Sequence, residues 1–249
     1  MSVQACADLV ARGDPRRFRA AMAAPLAARE VLLPLYAFNI EVSRAPWLTE
    51  EPMIAEMRLQ WWRDALEEVA EGRGRRHEVV DALGFLDAEG AGRLDQLVAA
   101  RRWDIYKDAF EDEAHFLEYI ERTGAGLIEV GVSALGGTIT DAVRAVGYAS
   151  GLARYLIAVP ELEARGRLPL VDGRPEAIAA LATDALAALP RHMPKLAQNA
   201  SAALFEAVQA RAILTRASRD PMAVAEGRLE GSPLAERWAL IRATMTDRL

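Results

Sequence analysis

The chain has 249 residues, 52% of them hydrophobic, enough for a continuous core of one large domain. Its formal charge of −6, with lysine and arginine spread along the chain, offers no basic face to a phosphate backbone, so nucleic acid is excluded as an expected partner. One cysteine, Cys6, allows no intrachain disulfide, and a cytoplasmic protein is expected. The first dozen residues lack a basic stretch followed by an apolar run, and no segment approaches the roughly 20 apolar residues of a spanning helix. Neither an export signal nor a membrane anchor is expected, and peripheral attachment to a membrane stays open.

In chain order the signals are helical. Asp14-Pro15 reads as an N-cap and first helical residue, and Pro25 and Pro52 mark further starts. Residues 1–13 are read as a flexible lead. Segments 26–44, 52–71, 93–110, 113–136 and 139–158 carry apolar residues at three- and four-residue steps. In the second of them the step runs Met53, Met57, Trp61, Ala65, Val69, which predicts that this face is buried. Gly72 with Gly74 and Gly136-Gly137 read as helix ends, and Gly166, Pro169, Gly173 and Pro175 mark an irregular loop. Helices near 175–188, 194–219 and 233–247 follow. The expected class is all-α, one domain over 1–249, with no repeats and no linker.

Chemistry is sparse. His77, His115 and His192 have no partner His or Cys at zinc-ligand spacing. Nucleophile-elbow, P-loop and dinucleotide-binding motifs are absent. Asp104 and Asp108, four apart, would share a face on a helix and form a magnesium anchor, or belong to the solvated end of a charged run. Trp61 and Trp62 beside Met57 suit either an apolar ligand cavity or the core.

Three blocks, Leu35-Tyr36-Ala37-Phe38, Arg58-Leu59-Gln60-Trp61-Trp62-Arg63-Asp64-Ala65-Leu66 and Gly166-Arg167-Leu168-Pro169, resemble the squalene/phytoene synthase family in order and spacing. Weaker matches at Asp104-Ile105-Tyr106, Tyr119, Gly124-Ala125-Gly126 and Arg211-Ala212-Ile213-Leu214 extend the resemblance over about residues 15–240. It implies an isoprenoid-synthase-like helical bundle around a central cavity. Active members join two prenyl diphosphates there, with aspartates on two helices holding magnesium. The chemistry needs those aspartates, because the departing diphosphate develops charge that metal ions or fixed cations must stabilise.

This chain departs from the pattern at the decisive positions. Ser43, Arg44 and Trp47 stand where the first aspartate motif should be. The second motif aligns with Ile157–Arg167, which keeps Arg165-Gly166-Arg167 but lacks the leading aspartate, and Pro160 is expected to interrupt its helix. The run Ala37-Phe38-Asn39-Ile40-Glu41 with Glu51-Pro52-Met53-Ile54 is similar to the family's non-catalytic branch, which includes a mitochondrial complex I assembly factor. That branch implies a pseudoenzyme that helps to assemble or stabilise respiratory complex I, with complex I subunits or intermediates as partners and no cofactor, placed in the cytoplasm or peripherally at the inner membrane. A prenyl lipid or quinone is the implied ligand, with Tyr36, Asn39, Glu41, Arg44, Met57, Trp61, Arg154, Arg165 and Arg167 as candidate binding or cavity-lining residues. Two alternatives stand beside it. One is a magnesium-dependent head-to-head prenyltransferase with atypical ligands drawn from Glu41, Glu161, Glu163, Asp104 and Asp108, and the other is a prenyl-lipid carrier without chemistry.

Overall fold

Helix α3 (Leu26–Arg44) shows how the sequence builds the first part of the fold, because Leu32 to Ile40 are buried without a break. A helix apolar around its whole circumference needs neighbours on every side. In the computed structural model, which describes residues 2–196 and 199–246, all regular elements among the described residues are helical. The chain divides into two compact units: Met1–Tyr106 with Gly126–Ile139 and Leu196–Glu206, and Lys107–Ala125 with Thr140–Lys195 and Ala207–Leu249.

In the first unit, the lead segment expected to be flexible is helix α1 (Ser2–Gly13), which packs on α3 and buries Cys6 and Val10. Two buried apolar side chains one turn apart are what the sequence reading undervalued there. Asp14 caps α2 (Pro15–Ala23), its carboxylate accepting from Arg17 N–H at 3.0 Å, with Pro15 at the first helical position. A 3₁₀ turn at Ala45–Trp47 leads to α4 (Pro52–Ala70), which ends at Gly72 with φ +73°. Helix α5 (Ala88–Ala100) is capped by Asp87 and packs on α4.

The second unit opens with α6 (Glu113–Ile120), whose N-terminus is closed by Asp112 accepting from His115 N–H at 2.8 Å. A π-helical turn, Glu121–Ala125, follows, and the chain passes to α7 (Gly126–Ala134) in the first unit, where it packs on α3 and α5. Helix α8 (Asp141–Ala164) is capped by Thr140 and packs along the π turn. Phe110, Phe116, Tyr119 and Tyr155 cluster edge to face in this unit, with centroids 5.2 to 6.4 Å apart. The Tyr155 hydroxyl donates to Pro169 O at 2.7 Å, fastening the loop after α8. Helices α9 (Pro175–Ala188), α10 (Ala210–Arg219), the short α11 (Met222–Ala225) and α12 (Pro233–Thr246) complete the order.

Several expectations are corrected. Helix α8 runs through Pro160 to Ala164 instead of stopping before it. Proline removes one backbone bond, and the buried row from Val143 to Val159 holds the helix while only its last turn lies beyond. The segment expected at 93–110 begins at Ala88 and leaves α geometry after Ala100, passing through a 3₁₀ turn at Arg101–Asp104. The segment at 113–136 is broken by the π turn, and that at 194–219 contains a 3₁₀ stretch, Ala200–Ala207, before α10; residues 197–198 lie outside the described residues. In α4 the buried residues are Ala55, Leu59, Trp62, Ala65, Leu66 and Val69, so the expected row is buried at Ala65 and Val69 while Met53 and Met57 are 75% and 66% exposed.

Burial inside the first unit has a chemical consequence for Cys6. Desolvation, reinforced by the Glu78 charge, pushes its thiol from an ordinary value near 9 up to about 11. In the unfolded chain the thiol ionises first, so the native state holds the extra proton and stability falls as pH rises from about 9 towards 11. We expect Cys6 in the folded protein to resist a disulfide reagent at pH 8 and to react at once in denaturant; fast labelling without unfolding would contradict its burial.

Candidate functional site

The apolar side chains that α4 leaves outside its buried row build a groove with the end of α3. Glu41, Ala45, Leu48, Ile54, Met57, Arg58, Trp61, Trp62 and His77 line an open volume of about 490 Å³ within the first unit. Its floor is aromatic: Trp61 and Trp62 meet edge to face at 4.9 Å, His77 lies 5.2 Å from each ring, and Trp62 meets buried Phe38 at 5.3 Å. Arg75 lies 5.5 Å over the Trp61 ring and is held there by Glu68, whose two oxygens accept from it at 2.7 and 3.1 Å. Val79 N–H donates to His77 Nδ1 at 3.2 Å, so the neutral imidazole carries its proton on Nε2. The groove is therefore an apolar trough with a carboxylate, a guanidinium and an imidazole at its margins, suited to a flat or extended apolar ligand with a polar end.

Of the residues singled out from the sequence, this brings together Glu41, Met57 and Trp61. Tyr36 and Asn39 lie on the buried part of α3, and Arg44 is exposed at its end. Asn39 Oδ1 is buried and accepts no hydrogen bond among the described residues. Arg154, Arg165 and Arg167 belong to the second unit: Arg154 is half-buried on α8, Arg165 is exposed and bound to Glu161 at 2.5 Å, and Arg167 is buried.

The positions that would carry magnesium ligands do not suit a metal. The Ser43 hydroxyl donates back to Ile40 O at 3.1 Å, Arg44 brings a positive charge, and Trp47 presents an indole. Glu161 and Glu163 are exposed on α8, two residues apart and so on different faces. The pairing of Asp104 with Asp108 on one helical face is corrected: Asp104 ends the 3₁₀ turn, buried against Arg101 at 3.0 Å, whereas Asp108 is exposed in the irregular stretch that follows. Among the described residues no group of three or more His, Cys, Asp or Glu side chains is placed to hold a metal ion. A lone carboxylate facing a guanidinium does not make a site for a doubly charged ion.

Sequence reasoning missed a buried charge cluster in the first unit. Arg17 is 4% exposed, is ion-paired through Nε with Glu206, whose side chain is shielded from solvent, and, at 3.7 Å, with Asp14, and lies 5.4 Å over the Tyr36 ring. Burial pulls its pKa down, but the Glu206 and Asp14 charges outweigh that and hold it above the usual arginine value. Helix α2 carries Arg16, Arg17 and Arg19, and nothing in that run says which one turns inward or finds a partner 189 residues away.

The all-helical order and these units define a protein with the isoprenoid-synthase type of fold. A dehydrosqualene synthase crystal structure matches at TM-score 0.64 and 14% identity, covering 97% of this chain and 94% of that one. A squalene synthase from Alicyclobacillus acidocaldarius matches at TM-score 0.61 and 16% identity, covering 97% and 92%. The sequence model of the squalene/phytoene synthase family matches residues 10–225, and the chain belongs to that family. It is also similar, at 30% identity over 178 residues, to a Drosophila melanogaster protein named as an assembly factor 6 homolog of NADH dehydrogenase (ubiquinone) complex I. The match takes in 67% of this chain and 53% of that relative, so the chain spans about half the relative's length.

Proposed function

We propose that this protein is a non-catalytic member of the squalene/phytoene synthase family that acts in the assembly or stabilisation of respiratory complex I and binds a prenyl lipid or quinone. The observation that carries the reading is the donor set at positions 43, 44 and 47, where a hydroxyl bound to its own helix, a guanidinium and an indole replace the metal-binding carboxylates. Without bridging metal, a diphosphate leaving group has no adequate charge stabilisation, and the barrier rises by several kcal/mol per lost contact. The similarity to the assembly factor homolog supports the role in complex I biogenesis.

The α3–α4 groove is the proposed lipid site. Its aromatic floor stacks against isoprene units, while Arg58 and the Nε2–H of His77 offer donors to a quinone carbonyl. Incubation with farnesyl diphosphate, magnesium and NADPH is expected to release no diphosphate above background beside an active family member, and turnover would overturn the non-catalytic reading. Met57→Asp is expected to weaken binding of a prenyl quinone at least about tenfold while shifting stability by no more than about 0.5 kcal/mol, since Met57 is largely exposed. Unchanged quinone binding would remove the ligand from this groove.

A further inference from the structure

Helix α12 wears its apolar residues on the outside. Ser232 Oγ accepts from Ala235 N–H at 3.2 Å and starts the helix, and Ala243 is its buried residue. Facing solvent are Leu234, Trp238, Ile241 and Met245, with 68, 69, 47 and 79% of their surface exposed. At about 100° per residue these four fall within an arc of about 60°. Arg237 and Arg242, both exposed, fall about 70° to either side of the arc's centre. The acid of this helix, Glu236, lies on the opposite side, about 170° from the centre of the arc.

That arrangement answers to one kind of surface. A helix resting on a protein core alone would present polar residues to water, and four large apolar side chains in a row are the reverse of that pattern. Two guanidiniums flanking an apolar ridge fit a boundary where the ridge enters hydrocarbon and the cations meet phosphates, their alkyl stems lying along the interface. Trp238, mid-ridge, suits the same boundary. The helix has 14 residues and spans about 21 Å, short of the about 30 Å needed to cross, and no described helix is long and apolar enough to do so. The chain's net charge is −6, yet this face carries two cations and no anion. By contrast, the exposed Met53 and Ile54 at the start of α4 follow exposed Glu50 and Glu51, which an anionic surface would repel.

We infer that α12 lies in the plane of an anionic lipid surface, inserting Leu234, Trp238, Ile241 and Met245 below the headgroups while Arg237 and Arg242 bind their phosphates. This does not depend on the role in complex I assembly. The test is sedimentation of the full chain with vesicles of phosphatidylcholine containing about one third phosphatidylglycerol, against vesicles of phosphatidylcholine alone. The wild-type chain is expected to bind the anionic vesicles, with a blue shift in tryptophan emission that Trp238→Phe removes. The double variant Arg237→Gln, Arg242→Gln should lose about 30-fold in partitioning to anionic vesicles, from about one kcal/mol per cation, and nothing on neutral ones. Trp238→Ser with Ile241→Ser should lose at least as much on both, with the helical circular dichroism unchanged because the replaced side chains face solvent. No binding by the wild-type chain, or equal binding by the serine variant, would overturn the inference. So would a serine variant that converts a dimer to a monomer when the wild-type chain binds no vesicles, because the ridge would then be a protein interface.

Discussion

Glu206→Ala is expected to lower the stability of the protein by about 3–5 kcal/mol, read as a drop in the denaturation midpoint with an unchanged slope. The reason is what remains behind. Arg17 is 4% exposed, and losing Glu206 leaves a guanidinium in a low-dielectric pocket facing the Asp14 carboxylate 3.7 Å away. Arg17→Ala should cost a similar amount, by stranding the Glu206 carboxylate and removing the group that lies over Tyr36. The double variant Arg17→Met, Glu206→Leu separates pairing from packing, since it removes both charges and keeps most of the volume. It is expected to be more stable than either single alanine variant, and additivity of the single losses would contradict the account.

The second large effect lies where the π turn meets α8. A Cβ on Gly124 would stand 2.5 Å from the Gly151 Cα, and one on Gly147 would stand 2.8 Å from the Ala125 Cα. Both obstacles are backbone, so no side chain can swing away and the two segments must separate. Gly124→Ala and Gly147→Ala are each expected to cost about 1–3 kcal/mol by overpacking, with Gly124 the worse because its contact is closer. Gly92→Ala, in exposed helix with nothing within 4 Å of the added carbon, should instead stabilise by about 0.5–1 kcal/mol. Thermal unfolding of the three variants checks the opposite signs directly. Equal behaviour would mean that the close approach at Gly124 and Gly151 is not a structural requirement.

Local signals in the chain were good guides wherever a single residue decides the backbone. Asp14 and Pro15 start α2, Pro52 starts α4, and Gly72, Gly136 and Gly166 adopt the positive φ of 73, 78 and 76° that ends a helix. The aligned blocks located the family and the positions where its carboxylates are missing, since both depend on residue identity alone. Choices between two apolar faces were not legible. Helix α4 offers Met53, Met57 and Trp61 in one row and Ala55, Leu59 and Trp62 in another, and periodicity fits both. Packing against α5 and the 3₁₀ turn before α4 selects the second row, which leaves Met57 and Trp61 of the first to line the groove. His77, which completes that groove, comes from an irregular stretch with no motif around it. The same limit explains Asp104 and Asp108, whose four-residue spacing has meaning only on a continuous helix, and here the chain leaves α geometry before reaching them.

The central claim is a non-catalytic role in building complex I, and the most direct measurement is NADH:quinone oxidoreductase activity in membranes of cells from which this gene has been deleted. The account predicts a loss of assembled, active complex, restored by the wild-type chain and equally by a chain carrying Glu161→Gln and Glu163→Gln, the exposed carboxylates nearest the lost second motif. Full complex I activity in the deleted cells would contradict it.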